Sequence, residues 1–463
     1  AVQYGGNFFI SKRGTKAKGN ELKRLRWSGD RIDFQIGTGE TPYFREDRQA
    51  AMAVAEEHLP IILARWDKDG LRYEQESFAT LLEGPLDPED PGRNEQTPAI
   101  LMSRLVITNS SGEARSTRVW LAIRPAEALD VQDGRVFALA GGNGRYDAPR
   151  FRAQLASPDD QPIQLGSLQM AESKDAVFTD VTVPAHETKT VQFMIPFVSD
   201  MDEARIGRME RLDYGHERQR VADYWREMIE RTTRFSTPEP EFNHLARFVI
   251  PHIHISATKD PQSGLYMVPA ASYNYQVYAN ETCFQVLALD ALGDTGRATQ
   301  YLKTLLELQG SRSFPGNYAE PHDGVFHGAR VNAEYDYTAS SYGLDHGTVL
   351  WTLAQHYLYT RDAEWLKQTL PCMEKAVEWI ELQRSATREL DRNGEKRIEY
   401  GLLPAGHLED NDDWGYWFSV NAYCAAGLRD MALALEDIQH PRAAELREQA
   451  DAFMNDLRTA IRR

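Results

Sequence analysis

The period of the apolar positions changes part-way along the chain. From about residue 242 they recur every three to four residues, the spacing of amphipathic helices, and one unit returns three times. It is an apolar helix, a tight turn at or next to an Asp, then an amphipathic helix. It reads Thr282–Leu308, then Thr348–Ile380, then Ala422–Leu457, with starts about every 70 residues. Such a hairpin cannot cover its apolar face alone, so repeats of it stack. The predicted helices are Phe242–Thr258 (kinked at Pro251), Tyr275–Leu292, Thr295–Leu308, His346–Thr360, Ala363–Gln383, Trp417–Leu435 and Pro441–Ile461. The loops between them, Gly310–Asp345 and Arg384–Tyr416, are too long for idle connections and are expected to carry function.

Before that point the pattern is of short runs rich in Val, Ile, Phe, Tyr and Thr: Arg31–Gly37, Leu59–Trp66, Leu71–Leu82, Ile100–Asn109, Thr117–Arg124 and Val177–Val198. Turn pieces separate them, at Asp67–Gly70, Asn109–Gly112, Gly141–Gly144 and Ala185–Glu187, and Pro85–Pro98 is an acidic, Pro-rich loop. This punctuation predicts an antiparallel β-sandwich. Asp200–Arg231 is helical in period, with Met209, Leu212, Tyr224, Trp225 and Ile229, and Thr237–Glu241 (TPEPE) reads as a linker. The expected organisation is a sandwich over 1–199, a linker helix and linker over 200–241, and a helical domain over 242–463.

Composition narrows the function classes. At 463 residues, 42% hydrophobic and 26% charged, the chain has the make-up of an ordinary globular protein. No run of 18 apolar residues exists, so no membrane-spanning helix is expected. A net charge of −17 argues against nucleic acid, and the basic cluster Lys12–Arg26 reads as a solvated loop. Cys283, Cys372 and Cys424 all fall on predicted helices without a CxxC pairing, and read as small core residues. The chain begins at Ala1 without Met, which fits a processed export product or a sequence starting part-way into its protein. A periplasmic or secreted location is expected ahead of a cytoplasmic one.

Three stretches carry a family likeness: Tyr275–Gly293 (YQVYANETCFQVLALDALG), Tyr342–Asp362 (YGLDHGTVLWTLAQHYLYTRD) and Gly401–Leu428 (GLLPAGHLEDNDDWGYWFSVNAYCAAGL). With the order sandwich, linker helix, helices, the chain resembles the six-hairpin glycosidases, the superfamily of glucoamylases, trehalases, rhamnosidases and disaccharide phosphorylases. The resemblance implies an N-terminal β-sandwich followed by an (α/α)6 toroid, of which about seven of twelve helices are visible. It also implies that the loop over 401–416 carries the general acid of an inverting glycoside hydrolase. The base, near the family's eleventh helix, would then fall beyond residue 463. The rest of the chain, or a second polypeptide, would complete the toroid.

Inverting hydrolysis needs a carboxylic acid and a second carboxylate roughly 6.5–9.5 Å apart, with the acid kept protonated by burial or neighbouring negative charge. Glu409, Asp410, Asp412 and Asp413, beside Trp414, Tyr416 and Trp417, supply that crowding. The plainer reading is a solvated acidic loop with a cap for the next helix. Glu281, with Tyr278 and Asn280, opens a predicted inner helix, and the resemblance implies that it touches sugar hydroxyls, as early acidic residues of inner helices often do in that superfamily; the plainer reading is a Glu favourable in a first turn. Tyr318, His327, Arg330, Asn332 and Glu334 in the central loop suit a sugar, as do Trp414 and Trp417. Asp345 and His346 read equally as subsite residues or a helix cap. His322 and His327 lack a metal-ligand spacing, and no metal or cofactor is expected. Trp351, Trp365 and Trp379 are expected in the core.

The leading expectation is a glycoside hydrolase acting on a carbohydrate. The alternatives are a phosphorylase, with Arg330 as its anion-binding candidate, and a non-catalytic glycan-binding protein. A polysaccharide lyase is disfavoured by domain order.

Overall fold

A computed structural model describes residues 6–10, 32–44, 50–87, 90, 92–94, 97–139, 148–157, 169–170, 175–197, 201–260, 263–269, 277–328, 342–408 and 413–463. The chain forms two compact units. One takes Ala1–Glu230 and Phe235–His252, the other Arg231–Arg234 and Ile253–Arg463.

The first unit is an antiparallel sandwich. Its strands are β1 (Phe8–Ile10), β2 (Ile32–Thr38), β3 (Ala51–Val54), β4 (Ile62–Lys68), β5 (Leu71–Leu81), β6 (Ala99–Thr108) and β7 (Arg115–Arg124). They continue with β8 (Leu129–Gln132), β9 (Arg135–Ala138), β10 (Arg150–Ala156), β11 (Gln169–Met170), β12 (Ala176–Val183) and β13 (Thr188–Pro196). One sheet runs β1-β2-β7-β12-β11, the other β3-β4-β5-β6-β13-β10-β9-β8. Alternation decides the faces. On β7, Val119, Leu121 and Ile123 join Phe34, Ile36, Tyr73, Leu105, Val136 and Phe193 in the core between the sheets. Trp120 and Ala122 point the other way, to a second cluster with Ala176, Phe178 and Phe44.

Two tight hairpins rest on residues at positive φ. Asp69 and Gly70 (φ 52° and 74°) join β4 to β5, and Asp133 and Gly134 (φ 50° and 75°) join β8 to β9. The twist of such turns matches that of the strands they connect.

After the strands come α1 (Glu203–Met209) and α2 (Tyr214–Glu230). The expected linker helix is thus docked on the larger sheet. The Tyr214 hydroxyl donates to the Glu76 carbonyl at 3.1 Å, and Thr80 Oγ1 donates to Glu217 Oε2 at 2.7 Å. Helix α3 (Pro240–Ser256) runs through Pro251 and crosses from one unit to the other.

The second unit holds three helical hairpins: α4 (Ala279–Leu292) with α5 (Thr295–Glu307), α6 (Gly343–Thr360) with α7 (Ala363–Thr387), and α8 (Phe418–Asp437) with α9 (Ala443–Arg462). These are the three repeats of the sequence, and among the described residues they form part of an α/α toroid. Inner helices α4, α6 and α8 lie side by side. Helix α6 is buried round its girth, through Val349, Leu350, Leu353, Ala354 and Tyr357, whereas α9 buries one row: Ala443, Leu446, Ala450, Phe453, Leu457 and Ala460. Each hairpin turns through one left-handed residue, Gly293, Arg361 or Gln439. Contact between α6 and α8 is close because Gly347 has no side chain: a Cβ there would stand 2.5 Å from the Cys424 amide nitrogen. Cys283 and Cys424 are buried and Cys372 half-buried. Burial pushes the thiols of the first two up to about 12, which keeps them inert. No helix among the described residues is long and apolar enough to cross a membrane.

Candidate functional site

The N-termini of α4, α6 and α8 open at one end of the second unit, and an aromatic residue occupies the N-cap of each: Tyr278, Tyr342 and Trp417. Ser, Thr, Asp or Asn would ordinarily stand there and accept a helix amide. Tyr278 and Trp417 make no side-chain cap bond, which forgoes about 1 kcal/mol at each helix. The Tyr278 and Tyr342 rings instead stack at 5.4 Å between centroids, 11° from parallel, and Tyr342 lies 6.2 Å from the His407 ring.

Beneath the two tyrosines sits Asp345, fully buried in the first turn of α6. Its oxygens accept the amides of Asn280, Gly328 and Tyr342, each at 3.2 Å. One carboxylate thereby ties the start of α4, the end of the central loop and the start of α6. Burial outweighs those three bonds, and with Glu281 adding negative charge it pushes the group up to about 7.

His346, the next residue, is equally buried. Its Nδ1 accepts the Phe326 amide at 3.1 Å and its Nε2–H donates to the Ala376 carbonyl at 3.2 Å. Both ring nitrogens are committed to backbone, and burial holds the imidazole neutral, down to about 3. Around it packs an aromatic cluster: Trp379 at 4.6 Å, Phe326 at 5.9 Å and Phe314 at 6.4 Å. Tyr318 and His322 complete it against Trp379, at 5.3 and 6.0 Å. His327 is buried too, between Ser311 Oγ at 3.1 Å and its neighbour Gly328's carbonyl at 2.5 Å. Burial pushes its pKa down.

The loop over 401–417 is clamped at its root. Gly401 sits at φ 71°, and a Cβ on it would meet Asp456 Oδ2 at 2.3 Å. Buried Arg384 donates from Nε to the Gly401 carbonyl at 2.9 Å and from Nη2 to Asp456 Oδ2 at 3.1 Å, over the Phe453 ring. Thr387 Oγ1 donates to the Leu402 carbonyl at 2.5 Å, and Asn421 Oδ1 accepts the Leu403 amide at 2.8 Å. Further on, Gly406 and His407 pair with Trp414 and Gly415, and the Trp417 indole donates to the Gly406 carbonyl at 2.9 Å. The central loop joins the same structure: the Asn317 amide reaches the Ala405 carbonyl at 2.9 Å, and Gln383 brackets Ala319 with two bonds.

Of the residues singled out from sequence, Tyr278, Asn280 and Asp345 meet at the helix mouths, where Tyr342 joins them, while Tyr318, His327 and His346 lie in the packed layer below. Glu281, in the first turn of α4, and Asp413 are exposed carboxylates, and Trp414 is 51% exposed beside Asp413. Glu409, Asp410, Asp412, Arg330, Asn332 and Glu334 lie outside the described residues, as do Lys12–Arg26 and Gly141–Gly144. Trp379 is in the core, as expected; Trp351 and Trp365 are half-buried, with the Trp351 indole donating to Asp430 at 2.9 Å. No group of three or more His, Cys, Asp or Glu able to hold a metal occurs among the described residues. Sequence reasoning missed Arg384, Gln383, Asn421 and His407. The Asn-Ala-Tyr start of α8 was a signal for Asn421, and the Gly401-Leu-Leu-Pro turn hinted at a fixed root without naming what fixes it.

No protein-family model matches the chain, nor does any curated protein sequence. Among solved structures it is similar to a bacterial glucoamylase complexed with acarbose, at 11% identity over 91% of this chain and 61% of that one, with a TM-score of 0.48. It is similar also to an inverting mannosidase from Bacteroides thetaiotaomicron, at 11% identity over 94% of this chain and 56% of that one, TM-score 0.38. An α-mannosidase from the same organism, complexed with mannoimidazole, follows at 10% identity, 92% and 54%, TM-score 0.36. The chain spans less than two thirds of the length of each.

Proposed function

We propose that the chain belongs to a glycoside hydrolase that cleaves O-glycosyl bonds by single displacement with inversion. The observation that supports this most is the anchoring of the segments on either side of the acidic stretch: Arg384, Thr387 and Asn421 hold Gly401, Leu402 and Leu403, and the Trp417 indole holds Gly406. A general acid needs a fixed mounting, because proton transfer falls off steeply with misplacement. Glu409, Asp410, Asp412 and Asp413 are the candidates for the acid. Exposed Glu281, with Tyr278 and Tyr342, would receive the glycone.

The test is turnover of a panel of aryl glycosides by the whole protein and by Glu409→Gln, Asp410→Asn, Asp412→Asn and Asp413→Asn. One of the four should lose about 100- to 10,000-fold in kcat, the range of a lost general acid or base. Equal activity in all four sinks the assignment, and turnover only with added phosphate selects a phosphorylase.

A further inference from the structure

The aromatic residues of the second unit form a graded run. Tyr278 and Tyr342 are 8% and 6% exposed at the helix mouths, and His407 is half-buried beside Tyr342. In the small hairpin His407 stands directly across from Trp414, so the two side chains share a face. Beyond it, Trp414, Tyr416 and Phe418 are 51%, 42% and 43% exposed at alternate positions, with Glu399, Arg397 and Glu389 charged around Tyr416. Large apolar side chains left so open, in a segment held at both ends, mark a binding surface rather than a folding need. His407 Nδ1 is buried with no partner among the described residues, a polar atom in the middle of the run.

Resting on the hydrolase reading, we infer that Trp414, Tyr416 and Phe418 form an outer sugar-binding platform, so that the substrate is a neutral oligosaccharide rather than a small glycoside. Planar rings offer a negative π face to the C–H face of a pyranose, a match that aliphatic residues lack. The surrounding carboxylates and guanidinium suit sugar hydroxyls, and the net charge of −17 disfavours an anionic polymer. The path from Tyr342 through His407 to Trp414 places successive sugars outward from the helix mouths.

Calorimetric titration of the whole protein with gluco- and manno-oligosaccharides, from mono- to pentasaccharide, tests this. Affinity of the wild type should rise with chain length. Trp414→Leu and Tyr416→Leu, which keep apolar bulk but remove the ring, should weaken pentasaccharide binding about tenfold or more and monosaccharide binding far less. Length-independent affinity, no binding of either series, or length dependence retained in both variants overturns the platform. Self-association of the wild type that the Leu variants abolish, without any glycan effect, overturns it in favour of a contact with a second copy. Aryl glycosides carry no outer sugar, so their turnover reports the hydrolase reading alone. Turnover without length dependence defeats only the platform. Length-dependent binding without turnover of any glycoside defeats only the hydrolase.

Discussion

Two buried arginines, one in each unit, serve different ends. In the sandwich, Arg152 of β10 is 2% exposed and grips Glu127 with two bonds of 2.8 Å, charge answering charge side chain to side chain. In the helical unit, Arg384 is as deeply buried but divides its donors among the Gly401 carbonyl, Asp456 and, more distantly, Glu381. Asp345 and His346 likewise bond to backbone, and apart from the Tyr342 amide their partners lie 17 to 65 residues away. Arg152 thus sits on a strand already held by its ladders, whereas Arg384, Asp345 and His346 fasten loop backbone that has none. A site built on loops needs such fasteners, and their cost in desolvation is repaid in placement rather than in stability.

The comparison breaks hardest at the arginines. Arg152→Met and Arg384→Met should each destabilise by about 3–5 kcal/mol in denaturant unfolding, because each strands a buried acceptor. Adding Glu127→Leu to the first should recover most of the loss. Adding Asp456→Asn to the second should not, because the Gly401 carbonyl stays unpaired, and hydrogen exchange over 401–408 should remain fast. Full recovery in both pairs would erase the distinction.

Asp345 comes next. Its folded-state group sits up at about 7 against an ordinary 3.8, so between those values the folded chain holds a proton that the unfolded chain has released. Its contribution to stability is greatest below pH 4 and is lost as pH rises to about 7, at most about 4 kcal/mol over that window. Asp345→Asn should flatten that part of the stability–pH curve. A slope unchanged by the substitution would mean that another group carries it.

Gly401→Ala should cost roughly 2 kcal/mol or more, from left-handed strain and the clash with Asp456. The same change at Gly84, also at positive φ but with open space around it, should cost only the strain, about 1 kcal/mol. Equal melting-temperature shifts would show that Asp456 yields. Smallest of all, Arg361→Gly and Gln439→Gly should each stabilise their hairpin by about 0.5–1 kcal/mol by relieving a left-handed residue, as Gly293 does in the first hairpin. A loss at either would assign its side chain a contact worth more than the strain. Arg361 has candidates in Asp437, an ion pair at 3.0 Å, and the Tyr357 hydroxyl.

Local pattern determined the large divisions. Runs rich in Val, Ile, Phe, Tyr and Thr between turn pieces specified the strands β2, β4, β5, β6 and β7, and a period of 3.6 specified the helices α3 to α9, because burying one face imposes that spacing whatever the partner. Short strands escaped. β10 contains buried Arg152 and Gln154, polar residues that disguise a core strand, and β8 and β9 are four residues each, too short to show a pattern on either side of the Asp133-Gly134 turn. The candidate site divides the same way. That Trp417 begins a helix was written in the sequence, whereas the helices expected from Tyr275 and His346 begin instead after Tyr278 and Tyr342. That these two tyrosines stack, and that Asp345 joins three segments, was decided only by tertiary structure. The partners of Asp345 at Asn280 and of Arg384 at Asp456 lie 65 and 72 residues away, and no local pattern encodes which distant amide or carboxylate a buried charge will meet.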